Sequence, residues 1–154
     1  MRSDAFSQHR VEFPNDDGYL TLGDLVDGYA VHVGMFEESC RPNDWGAGDL
    51  QATLHLRDRL ERARRLAPPD VRDELLVELE ALDRRLRDAT EDDADGHVLR
   101  DAGELRPASA WWWRRLPVAG LARAELLGGG RAVTAAGGSL PGRSRPPGAG
   151  RADG

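Results

Sequence analysis

Five consecutive residues, Trp111-Trp112-Trp113-Arg114-Arg115, hold three of the chain's four tryptophans beside two guanidinium groups. The chemistry they can do is recognition. An indole offers a broad apolar face and one N–H donor, and a guanidinium offers five donors in a planar fork that grips carboxylates and stacks on rings. Tryptophan and arginine are also the residues most enriched at the energetic centres of protein interfaces. Three consecutive side chains cannot all turn towards one small core. In a helix they fan over about 200°, and in a strand the middle one faces away from its neighbours. At least one indole is therefore expected at the surface, and the segment reads as a partner-docking surface. The competing reading has two indoles closing the open face of a helical domain while the third lies against arginine stems. The same mixture could stack nucleobases with Arg114 and Arg115 on phosphates, but two arginines are few for that task.

The other chemistry-bearing residues fail on spacing. Setting Gly96 of Glu91-Asp92-Asp93-Ala94-Asp95-Gly96 at the glycine of a calcium loop puts Glu91, Asp93 and Asp95 at the first three ligand positions. The twelfth position, where a bidentate glutamate is needed, then falls on Ala102. This reads as a solvated acidic loop. His9, His32, His55 and His97 include no pair spaced for a metal, and no Cys-x-x-Cys exists. Cys40 is the lone cysteine, so it has no disulfide partner in the chain and no visible base to activate it. No serine sits in a Gly-x-Ser-x-Gly elbow. Gly128-Gly129-Gly130-Arg131 follows no strand, precedes no helix and lacks the Walker lysine. No metal, cofactor or catalytic constellation is assigned. The remaining route to an enzyme is a site assembled from scattered residues such as His32, His55 and Asp58.

Charge narrows the partners. The chain carries −6 overall, with 21 basic residues, all arginine, and neither lysine nor isoleucine. Residues 1–127 hold 17 arginines against 26 acids, a net −9, and residues 128–154 hold four arginines against one aspartate, a net +3. A folded part this acidic repels a phosphate backbone, so generic nucleic-acid binding is disfavoured. The arginine, glycine, alanine and proline content suggests a gene rich in G and C. No apolar run approaches the roughly 20 residues of a membrane span. Met1-Arg2-Ser3-Asp4 is followed by no apolar stretch of a secretory leader. The expected location is the cytoplasm.

The elements that must position these residues are helices. Thr21 and Asp24 form a capping box ahead of an apolar stripe at Leu22, Leu25, Val26, Tyr29, Ala30 and Val33, predicting a helix that ends near Gly34. Gly46 is the expected cap of a second helix with the stripe Ala52, Leu56, Leu60, Ala63 and Ala67, widened by Leu50 and Leu54. Arg57/Glu61, Asp58/Arg62 and Glu61/Arg65 are expected as outer-face pairs. Pro68-Pro69 ends this helix and starts a third, whose seam is Leu75, Leu79, Leu82, Leu86 and Ala89. So short a connection makes the second and third helices an antiparallel αα-hairpin. Residues 90–104 read as loop, and 118–127 as a short helix. The expectation is an all-α fold, a three- to four-helix bundle built around the hairpin. Residues 1–19 form an extended arm, 20–127 the helical domain and 128–154 a disordered tail. The functional expectation is a non-enzymatic interaction module (adaptor, accessory subunit or inhibitor) that docks a protein partner through Trp111, Trp112, Trp113, Arg114 and Arg115. The alternatives are a nucleic-acid-associated, antitoxin-like regulator and an enzyme with scattered His and Asp residues.

Overall fold

The computed structural model describes residues 1–13, 18–37 and 45–128. Cys40, most of the expected turn at 14–18 and the tail from residue 129 lie outside the described residues. In chain order the elements are α1 (Asp4–Ser7), β1 (Arg10–Glu12), β2 (Tyr19–Thr21), α2 (Leu22–Glu37), α3 (Ala47–Leu66), α4 (Pro69–Asp88), β3 (Thr90–Asp92), α5 (His97–Ala102), a 3-10 turn (Trp111–Arg114), β4 (Arg115–Pro117) and α6 (Leu121–Leu127). The protein is mostly helical. Two small antiparallel sheets, β1–β2 and β3–β4, mean that it is not purely all-α.

α2 organises the core. It buries Leu22, Leu25, Val26, Tyr29, Val33 and Phe36, each contributing about 1.5–3 kcal/mol of transfer free energy. The expected cap is present: the Thr21 hydroxyl accepts the Asp24 amide at 3.2 Å and donates to the Asp24 carboxylate at 2.7 Å. The helix runs on past Gly34 to Glu37 because Phe36 adds one more inward apolar turn. α3 and α4 are joined through Ala67 and Pro68, and α4 buries the whole expected leucine seam. Each of them packs against α2 more extensively than against the other.

Three expectations need correction. Residues 1–13 are not an extended arm: Ser3 caps α1, Phe6 is fully buried, and Val11 lies on a strand. The strand pairs with the three residues just before α2, with Arg10 opposite Thr21 and Glu12 opposite Tyr19. Gly23 permits this closure, because a Cβ there would stand 3.1 Å from the Ser7 carbonyl oxygen. Residues 90–104 are not simply loop. β3 pairs with β4, Thr90 opposite Pro117 and Asp92 opposite Arg115. Asp93 is buried and accepts the Val98 amide at 2.8 Å and the His97 Nδ1–H at 2.9 Å, which starts α5. Gly96 at φ 69° supplies the left-handed turn between them.

The third correction concerns α3. Its buried face is Leu50, Thr53, Leu54, Arg57, Leu60 and Ala63, while Ala52 is exposed and Leu56 half-buried. Arg57, expected on the outer face, is 5 % exposed. Its Nε and Nη2 donate to the two Asp83 carboxylate oxygens, each at 2.8 Å, and the Tyr29 hydroxyl donates to the same carboxylate at 3.1 Å. One residue each from α2, α3 and α4 thus meets in a buried polar knot. Burial and the Asp83 charge together hold the Tyr29 phenol far above its ordinary pKa, so it stays a donor.

Removing one member of such a knot leaves a charge buried and unpaired. Asp83→Ala is expected to lower unfolding free energy by about 3–5 kcal/mol, and the apolar double variant Arg57→Met/Asp83→Leu to recover most of that loss. Urea unfolding followed by circular dichroism checks both. Asp93 generates a pH prediction. Burial opposes its charge, but the Val98 amide and His97 outweigh this and hold its pKa below the ordinary aspartate value. A depressed folded pKa contributes stability that is present above the unfolded value of about 4 and is lost as pH falls through the folded value. Asp93→Asn is therefore expected to be less stable than the parent at pH 7 and to show a shallower loss of stability below about pH 4.

Candidate functional site

The tryptophan segment is held at both ends before its side chains make any contact. On one side the Ala110 amide donates to the Pro107 carbonyl at 3.0 Å and the Trp113 amide to the Ala110 carbonyl at 3.2 Å. On the other, β4 is locked onto β3. Between them the backbone is a 3-10 turn, which sends successive side chains about 120° apart. Trp113 is 0 % exposed, Trp112 4 %, and Trp111 half-buried.

The two buried indoles share one acceptor. Trp112 Nε1 donates to Asp58 Oδ1 at 2.8 Å, and Trp113 Nε1 lies 3.0 Å from both Asp58 oxygens. Asp58 projects from α3, so this single carboxylate fixes the segment to the helical core. An indole N–H buried without an acceptor would carry a desolvation cost of about 1–3 kcal/mol. The expected Asp58/Arg62 pair is absent from the ion pairs of the described residues, because Asp58 points at the indoles instead.

Each indole also carries its own guanidinium. Arg87 lies 3.8 Å from the Trp111 ring centre, Arg57 4.3 Å from Trp112 and Arg106 4.7 Å from Trp113. Such stacking contributes about 0.5–2 kcal/mol, more where water is excluded. These partners come from α4, α3 and the loop before the turn. Arg114 and Arg115, the neighbours in sequence, go elsewhere. Arg114 donates to the Pro107 carbonyl at 3.0 Å and the Arg106 carbonyl at 3.3 Å, holding the preceding loop. Arg115 donates to the carbonyls of Arg87 at 3.0 Å and Thr90 at 2.6 Å and pairs with Asp92, closing the C-terminal end of α4.

Beside this segment, the last turns of α3 and residues 106–112 wall an open groove of about 460 Å³ that includes Arg62, Arg65, Leu66, Arg106, Pro107 and Trp112. A second groove, of about 530 Å³, lies where α2 meets α3 and is lined by His32, Ala52, His55, Leu56 and Arg59. His32 and His55, far apart in sequence, therefore share one surface. The Thr53 hydroxyl proton goes to the Asp49 carbonyl at 2.8 Å, so Thr53 can only accept from His32 Nδ1 at 2.9 Å. That leaves Nε2 as the basic nitrogen of His32, and burial lowers the ring's pKa below its ordinary value. Asp58, bonded to the indoles, also lies 3.8 Å from His55 Nδ1 but does not line this groove.

In the acidic loop, Asp93 caps α5, Glu91 pairs with Arg123 at 2.6 Å and Asp92 pairs with Arg115. Among the described residues, no three or more His, Cys, Asp or Glu side chains are grouped to hold a metal ion, and no helix is long and apolar enough to cross a membrane. Sequence reasoning missed Arg87 and Arg106 and gave Asp58 and Arg57 other roles. One signal for them was present: the inward stripe of α3 passes from Leu54 to Leu60 with no apolar side chain between them but Leu56, and Arg57 fills the inward gap. No protein-family model, no curated protein and no solved structure matches the chain.

Asp58 gives this site a sharp test. Asp58→Leu strands two indole N–H groups and is expected to cost about 2–4 kcal/mol. Asp58→Asn keeps one acceptor oxygen and is expected to cost less. Urea unfolding measures both costs. Tryptophan emission reports the cause, with a red shift expected for Asp58→Leu.

Proposed function

We propose that this protein is a non-enzymatic interaction module, an adaptor, accessory subunit or inhibitor, whose partner protein docks on the face formed by residues 111–115. The observation that supports this reading most directly is Trp111. It is a half-buried indole with Arg87 stacked on it, and it stands on a segment immobilised by Trp112, Trp113, Arg114 and Arg115. A rigid aromatic surface loses little side-chain entropy on binding, which is what makes preorganised anchors effective. In this reading the five residues divide their work. Trp111 meets the partner, and the other four hold it in place.

The nucleic-acid alternative is less favoured by this geometry. The guanidinium groups of Arg114 and Arg115 are engaged by backbone carbonyls, so neither is free to neutralise a phosphate without giving up those bonds. The enzyme alternative draws its support from one observation, the groove shared by His32 and His55. Burial keeps the His32 imidazole in its neutral, proton-accepting form, which a general base requires.

A photo-crosslinking amino acid at position 111, compared with one at exposed Val77 on α4, tests the docking reading in the cells that make the protein. The expected result is one partner protein captured at 111 and not at 77, with co-purification of that partner lost in Trp111→Ala while helicity is retained. Capture of the same proteins at both positions would overturn it. Turnover of a substrate that disappears in His32→Gln and survives Trp111→Ala would favour the enzyme instead.

A further inference from the structure

The groove between the end of α3 and residues 106–112 has a chemical character of its own. Two carboxylates lie in its wall, and both are already engaged. Asp58 accepts the two indole N–H groups. Glu61 is shared by Arg64 at 2.5 Å, by Arg57 at 3.4 Å and by Arg65 at 3.4 Å. One carboxylate cannot neutralise three guanidinium groups, and Arg57 belongs mainly to Asp83. Arg62 has no hydrogen bond or ion pair among the described residues. Arg65, largely exposed, keeps only its long contact with Glu61. On the facing wall Arg106 pairs with Glu104 and, at 3.5 Å, with Asp58, while its buried Nε–H has no acceptor.

Apart from Ser109, the rest of the lining is apolar. Leu66 is 70 % exposed at the end of α3, and Pro107, Ala110 and the edge of Trp112 complete the surface. A solitary exposed leucine is ordinary on a protein surface. This one borders a groove of about 460 Å³ flanked by two arginines with no full counter-charge. The sign is opposite to that of the whole chain, whose net charge is −6. At physiological ionic strength charges further away than about 8 Å are largely screened, so a ligand in the groove responds to Arg62 and Arg65 more than to distant acids.

We infer that this groove binds an extended acidic peptide segment, its Asp or Glu side chains on Arg62 and Arg65 and an apolar side chain between them against Leu66 and Pro107. The inference rests on the reading that this face meets a protein, and it adds the chemistry of the part that is recognised. A polynucleotide fits less well: Arg62 and the weakly paired Arg65 provide few phosphate contacts, and the wider surface is acidic.

The test selects a displayed library of random 12-residue peptides on the full chain and measures fluorescein-labelled hits by anisotropy. The expected result is enrichment of peptides with Asp or Glu flanking Leu, Phe or Trp. Their affinity should fall about tenfold or more in Arg62→Glu, fall further as salt rises, and fall by a smaller factor in Leu66→Ser. Both positions are at the surface, and circular dichroism confirms that the variants are folded. Enrichment of peptides without acids, binding unaffected by Arg62→Glu, or no enrichment at all would each overturn the inference. So would a labelled single-stranded 20-mer oligonucleotide that binds in place of any peptide and is lost in Arg62→Glu. If the selection fails while position 111 still captures a partner, the docking reading stands and only the acidic-peptide inference falls.

Discussion

The bidentate pair between Arg57 and Asp83 is the constraint on which the remaining contacts hang. Both groups are removed from water between three helices, where an unpaired charge is costly and a pair is tolerated only with good geometry. Two parallel N–H···O bonds of 2.8 Å and the Tyr29 hydroxyl at 3.1 Å provide it. Because each of the three residues comes from a different helix, the relative rotation and height of α2, α3 and α4 are fixed at one level. Leucine stripes alone would tolerate more variation, since apolar packing is non-directional.

The outer face of the same arginine extends that order to the tryptophan segment. Arg57 is at once the partner of Asp83 and the cation stacked on Trp112. One residue further along α3, Asp58 receives the indole protons of Trp112 and Trp113. Adjacent positions on one helix therefore serve two layers, with residue 57 turned to the helical core and residue 58 to the layer that covers it. This explains how a 3-10 turn, whose hydrogen bonding is weaker than that of an α-helix, can carry three large side chains in fixed positions. The turn is held by α3, by the β3–β4 ladder and by the two arginines that follow it, more than by its own backbone bonds.

The helices and some of their local polar pairs were legible in the sequence, and the buried polar contacts between helices were not. Thr21 with Asp24, Pro68-Pro69 and the leucines of α4 announce helix starts and faces through local chemistry and period. The β1–β2 pairing escaped because three-residue strands carry almost no periodic signal. The residues of β2 also looked like nothing more than the approach to a capped helix. Arg57 was misplaced because a binary reading of polar and apolar positions sends every charge outwards, and a buried ion pair becomes visible only when its partner 26 residues away is brought beside it. The tryptophan cluster stood out at once. The local reading could not supply the arginines that stack on it: stacking requires cations at the right height in space, and those come from positions 57, 87 and 106.

This division of labour bears on how such a face could recognise anything. Many charges among the described residues are matched pairwise, as Arg85 is with Glu37 and Arg84 with Glu80, and an exposed pair of that kind contributes little to stability, about 0–1 kcal/mol. Specific character arises where the matching is incomplete. Around the tryptophan segment the acceptors are used up by indole and guanidinium donors that must be satisfied for the fold to close. That local shortage of carboxylates follows the packing: Asp58 is turned to Trp112, Trp113 and Arg106 and makes no ion pair with Arg62. The contacts that bury two tryptophans are therefore the same ones that occupy Asp58, a carboxylate that lines the groove with Arg62, so that the fold and the charge of this groove are one electrostatic arrangement.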